Sequence, residues 1–197
     1  MPSKDKIIAL DLPLKETSEH SPELRAALEY LETEHGLVPN YVRAYSFEEI
    51  KLKTFMELYN EVMLGDSELS VLEREMIGVA ASAANRCYYC LTSHGAAVRE
   101  LSGDPVLGDL VATNYRFADL GQRHRAMLDF AVRITEASYT IGESDRQALR
   151  DAGFSERAIF DIAAVAGLFN YTNRMASALD IRPNEAYHYR ARAVPAT

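Results

Sequence analysis

The chain has only two cysteines in 197 residues, Cys87 and Cys90. It has no run of about 18 apolar residues, so no transmembrane helix is indicated. It has no excess of positive charge. Lys and Arg number 21 against 29 Asp and Glu, a net charge of −8. That balance argues against broad attraction to nucleic acid or an anionic membrane. No stretch alternates apolar and polar residues as a half-buried strand would, and no Gly-rich phosphate loop follows one. The first residues, "MPSKDKIIALDLPLKETSEH", are too charged and too short in apolar length for a signal peptide. A cytoplasmic setting is therefore expected. Thiols there stay reduced, so a lone Cys-x-x-Cys points to catalysis or metal binding before it points to a structural staple.

What is present is helical grammar. Apolar residues make up 48% and charged residues 25%, an ordinary globular balance. The length is enough for one domain with a real core. The expected organisation is a single all-α domain over 1–197, with an N-terminal extension over 1–20 and a tail over 184–197. In "SPELRAALEYLETEHG", Ser21 is the expected N-cap, Pro22 the first helical residue and Gly36 the stop. "LVPNYVRAY" reads as a connector broken by Pro39. Ser46 with Glu49, Ser70 with Glu73, and Ser144 with Gln147 each have capping-box spacing. The helix after Ser70 is rich in Ala, Val and Ile, so it is expected to be buried and closely packed. "SERAIFDIAAVAGLFNYTNRMASALDI" reads as a long, mostly apolar helix starting after Ser155. "EREMIGVAA" and "ERAIFDIAA" echo each other, which fits either a duplicated helical hairpin or the shared pattern of buried helices. The tail reads as loosely ordered or packed on a partner.

The chemistry concentrates in "NRCYYCLTSHG". On a helix, Cys87 and Cys90 share a face, and His94 lies one turn beyond Cys90. With Asn85 as expected N-cap, the helix N-terminus would favour thiolate, at Cys87 more than at Cys90. Reduction of a peroxide needs an attacking thiolate, a second thiol close enough to form a disulfide, and groups that move protons. The pair meets the second need by spacing. Buried apolar filler and a zinc site of Cys87, Cys90, His94 and a carboxylate are the alternatives at this point. Tyr88 and Tyr89 read as packing residues. Surface or satisfied roles are the default for His20, His35, His124 and His188. Glu73 reads as a helix cap, and Arg99 and Glu100 as solvent-facing.

The pattern Glu75-x11-Cys87-x2-Cys90-x3-His94 resembles the alkylhydroperoxidase AhpD family, part of the AhpD-like, carboxymuconolactone decarboxylase superfamily. "NRCYYCLTSHGAAVREL" and "ALRDAGFSERAIFDIAAVAGLFNYTNRMASAL" are similar to its peroxidase-related enzymes. The resemblance spans roughly residues 39–183. It implies an AhpD-like bundle of about eight helices and a homo-oligomer. It also implies hydroperoxide reduction without a bound cofactor or metal, with an external dithiol of lipoyl or thioredoxin type, delivered by an adaptor protein, as reductant. It makes Cys90 the peroxidatic cysteine, Cys87 the resolving one, and Glu75 with His94 the proton relay. A redox sensor whose disulfide reports oxidation, and a decarboxylase-like enzyme of the same superfamily, are the competing functions. One departure stands out. The best-known members carry a relay histidine just before the second cysteine, where this chain has Tyr89, a phenol whose pKa is ordinarily about 10. Tyr89 is thus a candidate relay of a different kind. Glu75 reaches the cysteines only if the chain breaks near Asn85, because one continuous helix would turn it away.

Overall fold

The computed structural model describes residues 6–192, and those residues form helices and connections with no strand. In chain order the helices are α1 (Pro22–His35), α2 (Asn40–Arg43), α3 (Glu49–Leu64), α4 (Val71–Ala84), α5 (Tyr88–Ser102), α6 (Pro105–Asn114), α7 (Gln122–Ala137), α8 (Glu143–Asp151) and α9 (Glu156–Ala178). The all-α reading holds. The extra helix beyond the expected eight is α2, a single turn where a connector was expected. Pro39 does not break it, because it sits just before the first helical residue, where its missing N–H is not needed.

α4 is the axis of the bundle. It packs against α5, α6, α7 and α9. Every residue from Glu73 to Ser82 is buried, as its Ala- and Val-rich composition predicts. Its small residues set the packing distance. A Cβ on Gly78 would lie 2.2 Å from Cζ of Phe169 on α9, so the ring occupies the space a side chain would fill. One apolar cluster gathers α4, α7 and α9 around Met76, Ile77, Leu128, Ile162 and Phe169. A second gathers α1, α2 and α3 around Leu28, Tyr41, Leu52 and Phe55, and it includes Cys87, Tyr89 and Cys90. The cysteines therefore lie on the seam between the two clusters.

Several expected caps are realised. Pro22 opens α1, and Gly36 closes it at φ 73°. Ser70 accepts from the Glu73 N–H at 3.1 Å, while the Glu73 carboxylate accepts from the Ser70 N–H at 2.8 Å. Ser155 caps α9 through the Ala158 N–H. Others are not realised. Ser46 does not cap α3, whose N-cap is Glu48. Its hydroxyl instead accepts from the Lys15 N–H, and Glu49 accepts from the Ser21 N–H. Both groups are drawn into contacts across the fold. Ser144 lies inside α8, which starts one residue earlier, and Asp145 accepts from the Gly142 N–H.

The tail and two polar residues also differ from expectation. Glu185–His188 forms a 3-10 turn on the chain's own α5, with Tyr187 buried. Arg99 holds it there. Arg99 is 3% exposed rather than solvent-facing, and donates to the carbonyls of Tyr187 and Arg190. His20 is buried, with neither ring nitrogen in a hydrogen bond and Nδ1 3.4 Å from a Glu49 oxygen. No helix among the described residues is long and apolar enough to cross a membrane.

Candidate active site

The site begins at the turn between α4 and α5. α4 ends at Ala84, and Asn85 is its C-cap rather than the N-cap of the next helix. Arg86 then takes φ 55°, the left-handed region that costs a side-chain-bearing residue about 1–2 kcal/mol. Backbone bonds from Arg86 N–H to Ala83 O and from Cys87 N–H to Ser82 O hold the turn at 3.1 and 3.0 Å. The chain reverses, and α5 packs back along α4. The break near Asn85 is therefore present, and it brings Glu75 to His94. Glu75 Oε2 lies 2.6 Å from His94 Nδ1, within the range of a charge-assisted hydrogen bond. Side-chain exposure is only 15% for His94 and 8% for Glu75. The edge of the Phe169 ring fixes the imidazole at a centroid distance of 4.6 Å.

Cys87 is the N-cap of α5, and Cys90 is the third helical residue. Both are free thiols with 1% exposure. The Cys87 thiol is drawn down to about 7, because the Cys90 S–H and the Cys90 backbone N–H both donate toward its sulfur. Ser177 and the charge of His94 act the same way, and burial opposes them. Cys90 is pushed up, first because its proton is held by Cys87, then by burial and by the charge on its partner. Asn173 and Thr172, on α9, work against that rise. The two thiols lean opposite ways, Cys87 down and Cys90 up, and titrate as a pair.

Tyr89 is not placed as a base. Its hydroxyl accepts from the Tyr41 N–H at 3.0 Å, and burial holds its pKa well above the ordinary phenol value. Tyr88 is exposed, with its hydroxyl 3.2 Å from His188 Nε2. Tyr59, on α3, is half-buried, and its pKa is raised by burial and then by the charge of Glu75. Among the described residues no three His, Cys, Asp or Glu side chains come close enough to share a metal ion, so Cys87, Cys90 and His94 do not converge as a ligand set. A surface cavity of about 440 Å³ lies between α1 and α3, lined by Leu24, Ile50 and Met56, and contains none of the cysteine-site residues.

The structure thus pairs Glu75 with His94 and sets Cys87 and Cys90 at the start of the helix that carries His94, with Tyr89 alongside as a packing and backbone-binding residue. Sequence reasoning missed the wall that α9 supplies, namely Thr172, Asn173 and Ser177. It also missed Asn85, Ser82 and Asn170. Asn85 Nδ2 donates to Asn170 Oδ1 at 3.1 Å and to Asn173 Oδ1 at 2.9 Å, and Asn173 Nδ2 donates to Ser82 Oγ at 2.9 Å. The available signal was Thr172 and Asn173 interrupting an apolar helix, because buried polar groups need partners.

Comparison with known proteins agrees with this fold. Residues 52–131 match the carboxymuconolactone decarboxylase family. The crystal structure of an uncharacterized peroxidase-related protein from Silicibacter sp. TM1040 is 49% identical, covers 98% of this chain and 100% of its own, and superposes at a TM-score of 0.93. A second, from Ralstonia eutropha JMP134, is described as an alkylhydroperoxidase AhpD core. It is 36% identical over 96% of this chain and 98% of its own, at a TM-score of 0.91. The debrominase Bmp8 shares the fold alone, at 19% identity over 93% of this chain and 96% of its own and a TM-score of 0.77. No curated protein matches the chain.

Proposed function

The chain belongs to the carboxymuconolactone decarboxylase family, within its AhpD-like superfamily, and from that premise we propose that it is a cysteine-based peroxidase that reduces hydroperoxides through a Cys87–Cys90 dithiol/disulfide couple. The observation that carries this reading is the buried pair of free cysteines, Cys87 and Cys90, at the start of the helix whose His94 is bound to Glu75 at 2.6 Å. The similarity to a peroxidase-related protein and to an alkylhydroperoxidase AhpD core supports it.

In this reading Cys90 gives up its proton to the Cys87 thiolate. The Cys90 thiolate attacks the terminal oxygen of the hydroperoxide. An S–O bond forms, the O–O bond breaks, sulfur is oxidised to sulfenic acid, and alkoxide or hydroxide leaves. The Glu75–His94 pair supplies the proton that the leaving oxygen takes. Cys87 then condenses with the sulfenic acid, forming the disulfide and releasing water. An external dithiol reduces that disulfide by thiol exchange. The Tyr89 hydroxyl, bound to the Tyr41 backbone, has no step.

A second reading makes Cys87 the attacking sulfur. It is favoured by the position of Cys87 at the start of α5 and by its thiol at about 7, since low-pKa thiols at helix N-termini are the reactive ones. Dimedone trapping separates the two. A sulfenic acid on Cys90 in Cys87→Ser supports the first reading. A trapped Cys87 in Cys90→Ser, with Cys90 untouched in the converse variant, supports the second. Failure of folded wild type to consume any hydroperoxide in the presence of a dithiol would remove both.

A further inference from the structure

Cys87 and Cys90 are held in place by different means. Cys90 lies inside α5, so the helix fixes it. Cys87 is the N-cap, with extended backbone at φ −82° and ψ 103°, so the preceding turn fixes it. A disulfide needs its two Cα atoms about 4.4–6.8 Å apart, and the turn therefore governs whether the pair can close. That turn is strained at Arg86, with φ 55°. Such strain persists only where the surroundings over-determine the backbone. The bonds from Arg86 N–H to Ala83 O and from Cys87 N–H to Ser82 O are internal to the turn.

Asn173 ties the turn to α9. It is 1% exposed, and its amide bridges the two residues that bracket the reversal. Oδ1 accepts from Asn85 Nδ2 at 2.9 Å, and Nδ2 donates to Ser82 Oγ at 2.9 Å. The neighbours fix this orientation from both sides. Asn170 Nδ2 donates to the Ala166 carbonyl at 2.9 Å, so Asn170 turns Oδ1 toward Asn85, and Asn85 must present Nδ2. Ser82 donates its hydroxyl proton to the Gly78 carbonyl at 2.7 Å, so toward Asn173 it can only accept. Ser82 also carries the carbonyl that accepts from the Cys87 N–H at 3.0 Å. One side chain thus grips both ends of the turn, and one of those ends bonds Cys87 directly.

We propose that Asn173 is a positioning residue for the Cys87–Cys90 couple: it clamps Ser82 to Asn85, holds Arg86 in its left-handed conformation and keeps Cys87 where it can close on Cys90. The inference rests on the peroxidase reading only in taking the pair as a redox couple. Without the clamp the turn relaxes, Cys87 samples more positions, and closing the pair costs more chain entropy. The disulfide then becomes the less favoured state.

The test is the thiol–disulfide equilibrium of the folded full chain against oxidised and reduced dithiothreitol, read by alkylation and mass. In that exchange Cys87 and Cys90 together give up two electrons and two protons to the dithiothreitol disulfide, which becomes the dithiol. Asn173→Ala is expected to move the equilibrium toward the protein dithiol by about tenfold, the size of a buried hydrogen bond left unmade, or about 30 mV for this couple. Ser82→Ala removes one end of the clamp. It is expected to shift the equilibrium the same way by less, and to add nothing in the Asn173→Ala background. Ser155→Ala removes the cap at the other end of α9 and destabilises the same helix. It is expected to leave the equilibrium unchanged, as Asn173→Ala would if its role were merely structural. No shift in folded Asn173→Ala, a shift toward the disulfide, or an equal shift in Ser155→Ala overturns the proposal. If Asn173→Ala does not fold, Ser82→Ala and Asn173→Asp, which accepts from Asn85 but cannot donate to Ser82, decide it on the same criteria. A wild type inactive toward hydroperoxides that still shows the selective shift removes the peroxidase reading and leaves the clamp. A wild type active toward hydroperoxides, with variants that keep its equilibrium, removes the clamp and leaves the peroxidase reading.

Discussion

The two walls of this site are built from opposite kinds of group. The α4–α5 wall is ionisable, with Glu75, Cys87, Cys90 and His94 within one reversal of the chain. The α9 wall is neutral, made of Thr172, Asn173 and Ser177. The first can move protons. The second cannot, but it can fix where charge rests, because a clamped amide cannot change its own charge when the sulfurs titrate. Ionisable and neutral groups thus stand on different helices, joined through Asn85 at the turn.

The comparison breaks most completely on the ionisable side. Cys90→Ser and Cys87→Ser are each expected to lower dithiol-dependent hydroperoxide consumption to the buffer rate, measured as peroxide loss over time. Glu75→Gln keeps the shape of the pair but removes its base, and kcat/KM is expected to fall by about 10²–10⁴-fold, the range for a lost general acid–base. Gly78→Ala acts on the packing beneath both walls. Its Cβ would meet the Phe169 ring that fixes His94. Overpacking of this kind costs about 1–3 kcal/mol, which calorimetry would read as a Tm lower by roughly 2–10 °C. In the wild type, the first thiol is expected to alkylate with a midpoint at about 7. The direction follows from the lowered value: thiolate is present above that pH and lost as pH falls through it. A midpoint at the ordinary thiol value would remove the activated Cys87 thiol from the account. The smallest effect is expected from Tyr89→Phe. The Tyr41 N–H loses its acceptor, at about 1 kcal/mol in chemical denaturation, and the pH–rate profile keeps its shape. A changed profile would restore Tyr89 to the relay.

The ionisable wall was legible in the sequence because its four residues fall within one reversal and their types are scarce. Two cysteines in the whole chain leave no ambiguity about the pair. The break at Asn85 followed from geometry, since Glu75 has no other route to the cysteines. The assignment of Asn85 as the next N-cap did not hold, because the turn needs Arg86 in a left-handed conformation, which no local pattern announces. The neutral wall was not legible, because Asn173 lies 83 residues beyond Cys90 (173 against 90) and the two meet only through packing of α9 on the α4–α5 hairpin. Arg99 escaped for a related reason. Its partners are backbone carbonyls of the tail, and carbonyls carry no sequence signal. The missed caps at Ser46 and Ser144 show local spacing overridden by contacts across the fold.

The central claim is that Cys87 and Cys90 form one redox couple. Titration of free thiols in the folded protein, before and after a stoichiometric pulse of hydroperoxide, tests it most directly. The account predicts two thiols per chain before, none after, both restored by dithiothreitol, and a peptide map joining Cys87 to Cys90. Two thiols unchanged after excess hydroperoxide, or a single thiol lost without a disulfide, would contradict it.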